Sequence, residues 1–437
     1  MNSKSRNFSA AMSLAGHPLM ASRRKLKARY YQSLEYFVKQ IATDTEYTNV
    51  RLGQYRDFLV GNENLHKLSD EGYKEVIRSI VNNPIKPWRR KYRYWLLCDI
   101  ALILLDRDAI DRSLRFMQSF LSRRQAALME SMHRAIWIDD EVTSAFAFTE
   151  PLLAQFRENR RFFAHTEKRF VVTANMSAGK STLINAIIGK PLTRTSQEVC
   201  TGNLCYLYNK PFEDKTIHFS GPPLNLDASR EDLIRLDQAE VSSIASHFRT
   251  MASSDGRVCV IDTPGVNSAI NRQHGKITKK ALVEGQYDLL MYIFNANKLG
   301  TDEEMRYLKW VAENMPREKV VFVLNKIDDF KRTEDSIEAS MNGVKNDLRE
   351  LGFENPIVYP LSAYFGYLIK LKMHGEPLSE DETDAYDAYV RKFSRPEYDL
   401  SKYYDGVNSV DSDSEPLLMS KRCGIYGLET LLFGGSL

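Results

Sequence analysis

Residues 170–182 constrain this chain more than any other stretch. An apolar run, Phe170-Val171-Val172-Thr173-Ala174, gives way to Asn175-Met176-Ser177-Ala178-Gly179, and Lys180-Ser181-Thr182 then opens the helical pattern Leu183-Ile184-Asn185-Ala186-Ile187-Ile188. A strand, a tight loop of small residues and a helix in that order make a phosphate cradle. Successive backbone N–H groups and the positive end of the helix dipole point at the anion, and small side chains let the backbone come close. Lys180 is expected to reach the β- and γ-phosphates of a nucleoside triphosphate, and the Ser181 hydroxyl to ligate Mg²⁺. Ala174 stands where such loops place their first glycine, so that position either keeps an ordinary backbone conformation or carries strain.

At 437 residues the chain exceeds one ordinary domain, and 43% hydrophobic with 27% charged residues describes a globular protein. The net charge of +3 hides an asymmetry: residues 1–165 carry a surplus of about nine positive charges and the rest a deficit of about six. Cys98, Cys200, Cys205, Cys259 and Cys423 show no zinc-type spacing, so reduced thiols in a cytoplasmic setting are expected. The N-terminus has no apolar core of signal-peptide length, and residues 1–22 read as a flexible leader. The run from Tyr94 to Leu105 is too short for a bilayer and contains Asp99, so it reads as a buried helix.

From residue 23 to 164 apolar residues recur at helical spacing, as in Tyr30, Leu34, Phe37, Val38 and Ile41, with a break at Asn82-Asn83-Pro84-Ile85-Lys86-Pro87. After Phe170 short β-branched runs alternate with helical patterns, the signature of a mostly parallel sheet flanked by helices. Strands are expected over 169–173, 204–208, 216–219, 258–262, 289–295, 319–325 and 356–360, with a closing helix near 424–433. The acidic, serine-rich stretch 375–420 reads as a mobile insertion.

Two strand ends extend the chemistry. Val258-Cys259-Val260-Ile261-Asp262-Thr263-Pro264-Gly265 places Asp262 to hold Mg²⁺ through water and the Gly265 N–H to sense a γ-phosphate. Val320-Val321-Phe322-Val323-Leu324-Asn325-Lys326-Ile327-Asp328 fits guanine. Asp328 can accept from the N1–H and the exocyclic amine, Asn325 can bond the base edge and tie back to the phosphate loop, and the Lys326 stem can cover the ring. Adenine offers no such donor pair, and the carboxylate would be left unpaired against it. Ser362 and Ala363, in a small-residue turn after the 356–360 strand, can close over the base oxygen. Thr201 is the choice for the residue that completes Mg²⁺ coordination, with Thr193 and Thr195 as competitors.

Together, Ser177-Ala178-Gly179-Lys180-Ser181-Thr182, Thr201, Asp262-Thr263-Pro264-Gly265 and Asn325-Lys326-Ile327-Asp328 resemble the dynamin-like P-loop GTPases, in particular their bacterial members. The resemblance covers roughly residues 165–437. It implies a GTPase domain that takes GTP or GDP with Mg²⁺ and works as a homo- or hetero-dimer. The expected catalytic set is Ser177, Lys180 and Thr201. Asn175, Met176, Ser177, Ala178, Gly179, Lys180, Ser181, Thr182, Gly265, Asn325, Lys326, Asp328, Ser362 and Ala363 bind nucleotide, and Ser181, Thr201 and Asp262 hold the metal. Two departures stand out. Met176 occupies the place where eukaryotic dynamins carry a glutamine that orients the attacking water, which implies slow hydrolysis or help from a second domain. The long helical stalk that follows the dynamin GTPase domain has no counterpart before residue 437. A nucleotide-gated switch with negligible turnover is the alternative reading. The basic stretches Arg23-Arg24-Lys25-Leu26-Lys27-Ala28-Arg29 and Trp88-Arg89-Arg90-Lys91-Tyr92-Arg93-Tyr94-Trp95 suggest peripheral contact with an anionic membrane and, less readily, with RNA or the ribosome.

Overall fold

The computed structural model describes all residues except 1–7, 42–44, 84–89, 139–143, 194–202, 239–240, 253–255, 266–271, 409–413 and 435–437. The chain forms two compact units: Met1–His165 with Lys210–Asp227, and Thr166–Asn209 with Ala228–Leu437.

The first unit is built on seven helices among the described residues: α1 (Arg24–Tyr36), α2 (Glu46–Leu59), α3 (Asp70–Val81), α4 (Tyr92–Leu104), α5 (Arg107–Gln118), α6 (Arg123–Trp137) and α7 (Glu150–Ala164). Helix α4 is the axle, buried on every face from Arg93 to Leu104. An all-round apolar helix belongs inside a helical layer, and neighbours supply its cover. Its one carboxylate is matched in full: Asp99 accepts from Tyr30 Oη at 2.6 Å and Tyr55 Oη at 2.9 Å, and pairs with His17 Nε2 at 3.1 Å. Burial, reinforced by Asp99, pushes both tyrosines well above their ordinary range, so they stay protonated donors. The aromatic half of the second basic stretch also belongs to this core. Arg93, Tyr94 and Trp95 are buried, which leaves Arg90 and Lys91 exposed, while Trp88 and Arg89 lie outside the described residues.

The expected flexible leader is a correction. From Phe8 to Met12 it is a buried strap, with His17 and Leu19 buried beyond it, and side chains hold its backbone as far as Ser13. Asn159 pairs with both polar groups of Ala11 (2.9 and 2.8 Å), Gln155 with both of Ser13 (2.8 and 3.0 Å), and Arg51 donates to Ala10 O at 2.6 Å. An irregular buried backbone must find such partners because it has no ladder of its own. The segment 210–227 adds two more: Asp214 accepts from Met12 N at 3.0 Å, and His218 Nδ1 lies 2.6 Å from Phe8 O. Burial and then the Lys210 ammonium drive His218 well below the usual imidazole range, so the ring is neutral. Within this segment β3 (His218–Ser220) starts two residues later than the sequence suggests, because Thr216 is taken up in a turn on Asp214 (N to Oδ1, 3.1 Å).

The second unit carries the other seven described strands and nine helices: β1 (Glu167–Ala174), α8 (Lys180–Ile188), β2 (Leu204–Asn209), α9 (Arg230–Ile234), β4 (Val241–Ser246), β5 (Arg257–Asp262), α10 (Arg272–Glu284), β6 (Leu289–Asn295), α11 (Asp302–Asn314), β7 (Val320–Asn325), α12 (Ile337–Glu350), β8 (Val358–Pro360), α13 (Ala363–Met373), α14 (Glu380–Phe393), α15 (Glu415–Arg422) and α16 (Ile425–Phe433). The strands run β4-β2-β5-β1-β6-β7-β8. All these pairings are parallel except β2 with β5, which places Cys205 beside Asp262. Strands β5 and β6 are buried throughout, as a sheet covered on both faces requires, whereas β2 alternates. Strand β4 has no sequence signal: three of its six residues are serines, and buried Ser246 is matched by Lys190 Nζ at 3.0 Å.

The expected mobile insertion at 375–420 is also corrected. It carries α14, the start of α15 and two short 3-10 turns, Pro396–Tyr398 and Ser401–Tyr403, and α14 is docked because Tyr386, Tyr389 and Phe393 share one helical face and pack on Phe365 of α13 (ring centroids 5.7, 5.6 and 5.2 Å). Its acidic centre, 411–413, lies outside the described residues.

Replacing Asp99 by Ala would leave two buried hydroxyls and an imidazole without their acceptor. The expected loss is about 3–5 kcal/mol, read as a lower midpoint of urea unfolding followed by circular dichroism.

Candidate functional site

The site residues converge at the carboxyl ends of β1, β5, β7 and β8, which the parallel strand order brings to one edge. Ala174 ends β1 in paired, extended backbone opposite Ile293, so the missing glycine costs no strain there. The left-handed positions come later, at Ser177 (φ 67°) and Gly179 (φ 86°). Ser177 is stabilised by a residue the motif reading overlooked: Asn295, at the end of β6, donates to Ser177 O at 3.1 Å. Gly179 has two reasons to be glycine, its positive φ and its neighbour, since a Cβ there would sit 2.4 Å from Asn325 Nδ2.

Asn325 joins the two halves of the site. Its Nδ2 donates to Ala178 O in the phosphate loop at 2.9 Å, and its Oδ1 accepts from Ala363 N at 3.0 Å. Lys326 follows in the left-handed region (φ 72°) and leads into a 3-10 turn, Ile327–Asp329. Asp328 is half-buried and accepts from Ser362 Oγ at 2.6 Å. Burial raises its carboxyl above the ordinary range, against the pull of the Ser362 hydroxyl. Ser362 also caps α13, where Ala363 is fully buried.

At the phosphate end, Lys180 Nζ is paired with Asp262 Oδ1, and both side chains are buried. The second oxygen, Asp262 Oδ2, is buried with no hydrogen-bond partner. Such an atom is costly unless a ligand answers it. A buried carboxylate with a free oxygen, one strand from the loop that ends in Ser181, fits a Mg²⁺ site held partly through water. After β5, Thr263 Oγ1 donates to Val172 O at 2.8 Å, and Thr278 of α10 donates to Pro264 O at 2.8 Å. The turn before Gly265 is thereby fastened on both sides. Thr278 carries no sequence signal, since nothing local marks a threonine 14 residues downstream.

The structure thus brings Asn175, Met176, Ser177, Ala178, Gly179, Lys180, Ser181, Thr182, Asp262, Gly265, Asn325, Lys326, Asp328, Ser362 and Ala363 to one sheet edge. Thr201 and Thr195 lie outside the described residues. Thr193 is committed elsewhere: its hydroxyl lies 3.0 Å from both Ser181 O and Asn185 Oδ1.

Residues 170–327 match the family model described as the dynamin family. The second unit carries a dynamin-like P-loop GTPase domain. This chain is 26% identical over 194 residues to the probable transmembrane GTPase FZO-like, chloroplastic, of Arabidopsis thaliana, a match covering 44% of this chain and 19% of that one. It is 26% identical over 175 residues to dynamin-like protein A of Bacillus subtilis (strain 168), covering 39% of this chain and 14% of that one. The chain therefore spans only a minor part of the length of these two relatives. Among solved structures, Toc33 from Arabidopsis thaliana in complex with Mg²⁺ and GMPPNP is 17% identical, covers 58% of this chain and 79% of its own, and has a TM-score of 0.29.

Gly179→Ala is expected to weaken guanine-nucleotide binding by about a hundredfold, because the added methyl breaks the Asn325 link and forbids the backbone angle. Calorimetric titration with GDP checks this. The raised Asp328 carboxyl adds a pH dependence: a protonated carboxyl cannot accept two hydrogen bonds, so GDP affinity should fall with pH above the usual carboxylate range, and Asp328→Asn should remove that step.

Proposed function

We propose that this protein binds GTP with Mg²⁺ and hydrolyses it to GDP and phosphate, and that its helical unit responds to the nucleotide state. One observation carries the reading. The Asn325 carboxamide bonds the phosphate loop and the Ser362-Ala363 turn at once, so a triphosphate cradle and a base pocket form a single site. In this reading Lys180 leaves Asp262 for the β- and γ-phosphates, and Ser181, Asp262 and Thr201 hold Mg²⁺. The ion would neutralise phosphate charge during transfer. Gly265 senses the γ-phosphate, Asp328 accepts from the guanine edge, and Ser362 and Ala363 close over the base oxygen. Ser177, in its left-handed corner of the loop, borders the reacting phosphate.

Met176 is 54% exposed and offers no group that orients water. A chain acting alone should therefore turn over slowly, and a second GTPase domain facing the loop could supply the missing group. The same residue supports the second reading, a nucleotide-gated switch with negligible turnover.

Chain connectivity supports the coupling. Strand β2 runs from just after Thr201 to Asn209, and the next residues, 210–227, are bound into the helical unit through Asp214 and His218 on the strap. A contact of Thr201 with the metal would lie at one end of β2 in the chain, and the segment that belongs to the helical unit follows the other. Arg23, Arg24, Lys25 and Arg29 are exposed on that unit and suit peripheral contact with an anionic membrane surface. The burial of Tyr94 and Trp95 takes two of the aromatic side chains that favoured RNA out of reach. No helix among the described residues is long and apolar enough to cross a membrane.

Titration should show GTP bound at least about a hundredfold more tightly than ATP, and equal affinities would defeat the guanine reading. Lys180→Ala should abolish triphosphate binding, and Asp328→Asn should shift preference toward xanthine nucleotides. Single-turnover rates that rise with protein concentration support hydrolysis assisted by a second domain. A rate that stays negligible at every concentration supports the switch.

A further inference from the structure

The turn that presents Asp328 is weakly held from within. Its own backbone bonds are Asp329 N to Lys326 O at 3.1 Å and Phe330 N to Ile327 O at 3.2 Å, and Ile327 N reaches Leu361 O at 3.3 Å. The closer contacts come from α14, which lies far along the chain. Lys392 Nζ donates to Asp328 O at 2.6 Å and to Phe330 O at 2.5 Å. It lies 4.6 Å from the Tyr398 ring centroid, and Tyr398 Oη reaches the same Phe330 O at 3.4 Å. The position of Lys392 is itself set by its neighbour: Phe393 is fully buried, stacks on Phe365, and has its carbonyl 3.4 Å from Arg422 Nη1. Among the described groups, one half-buried ammonium spans the two carbonyls on either side of Asp329.

We propose that Lys392 is a positioning residue for base recognition: by fixing the backbone on both sides of Asp329 it holds the Asp328 carboxylate where both oxygens meet guanine, one on N1–H and one on the exocyclic amine. The proposal rests on the guanine reading above. A bidentate contact needs the carboxylate in the plane of the base, and it fails before a single hydrogen bond does. Losing the anchor should therefore cost the exocyclic amine contact first. Packing alone does not explain the arrangement, since a lysine stem can lie along an aromatic ring with its ammonium in water, whereas here the ammonium is committed to two carbonyls of the recognition turn.

The test compares GDP with IDP, which lacks the exocyclic amine, by calorimetric titration of the full chain with thermal unfolding measured alongside. The wild-type protein should prefer GDP to IDP by about tenfold or more, as a hydrogen bond to a charged group requires. In Lys392→Met the ratio should fall to about threefold or less, while IDP affinity falls much less than GDP affinity. Lys392→Arg, which keeps a two-pronged donor, should restore most of the ratio. If Lys392→Met does not fold, Lys392→Gln is judged by the same criterion, with an intermediate ratio expected. A wild-type ratio retained in the folded variant, with both affinities lowered together or only the melting temperature lowered, overturns the proposal. A wild-type protein that binds ADP as well as GDP overturns the guanine reading instead.

Discussion

The carboxamide of Asn325 commits its donor to Ala178 O and its acceptor to Ala363 N, and the geometry of the whole edge follows from that pair. An amide has one donor end and one acceptor end at fixed separation. It can join two loops only if both arrive with the right polarity at the right distance. The β1-β6-β7-β8 order of parallel strands brings those loops together. Gly179 completes the constraint, because any side chain there would occupy the space the amide needs. Asn295 repeats the device one strand over on Ser177.

Electrostatics divides the site. At the phosphate end, Lys180 and Asp262 are buried together, and one Asp262 oxygen has no hydrogen-bond partner. A buried ion pair of this kind contributes little net stability, but its partners are poised for exchange. At the base end, Asp328 is held in a partly desolvated turn where burial opposes its ionisation. Both arrangements are unfavourable for folding and suited to a ligand that is anionic at one end and a hydrogen-bond donor at the other.

The helical unit follows the same logic without a ligand. The strap and Asp99 show that irregular backbone and a lone carboxylate enter a core only where each polar group is answered. The participation of Asp214 and His218 makes this unit discontinuous in sequence. The segment leaves the α/β sequence after β2 and is bound among helices encoded far earlier.

Much of the second unit was legible in the sequence. The strand ends at Ala174, Asp262, Asn325 and Pro360 follow from short apolar runs stopped by chemically distinctive residues, and the proposed nucleotide-binding residues lie at or just after these ends in chain order. Periodicity could do this because strand ends and phosphate loops are local in the chain. It failed where the cause was distant. Strand β4 is rich in serine, and it is pairing, as with β2, that makes it a strand. The strap looked loose because its partners, Asn159, Arg51 and Asp214, are spread over the next two hundred residues. The stretch from 375 to 420 looked like a loop because its acidic surface masked the Tyr386, Tyr389 and Phe393 face that docks on Phe365. The sequence by itself determined which polar and charged side chains the loops present. Tertiary structure decided which side chains hold those loops in place, because Asn295, Thr278 and Lys392 act on backbone that only folding brings within hydrogen-bond reach.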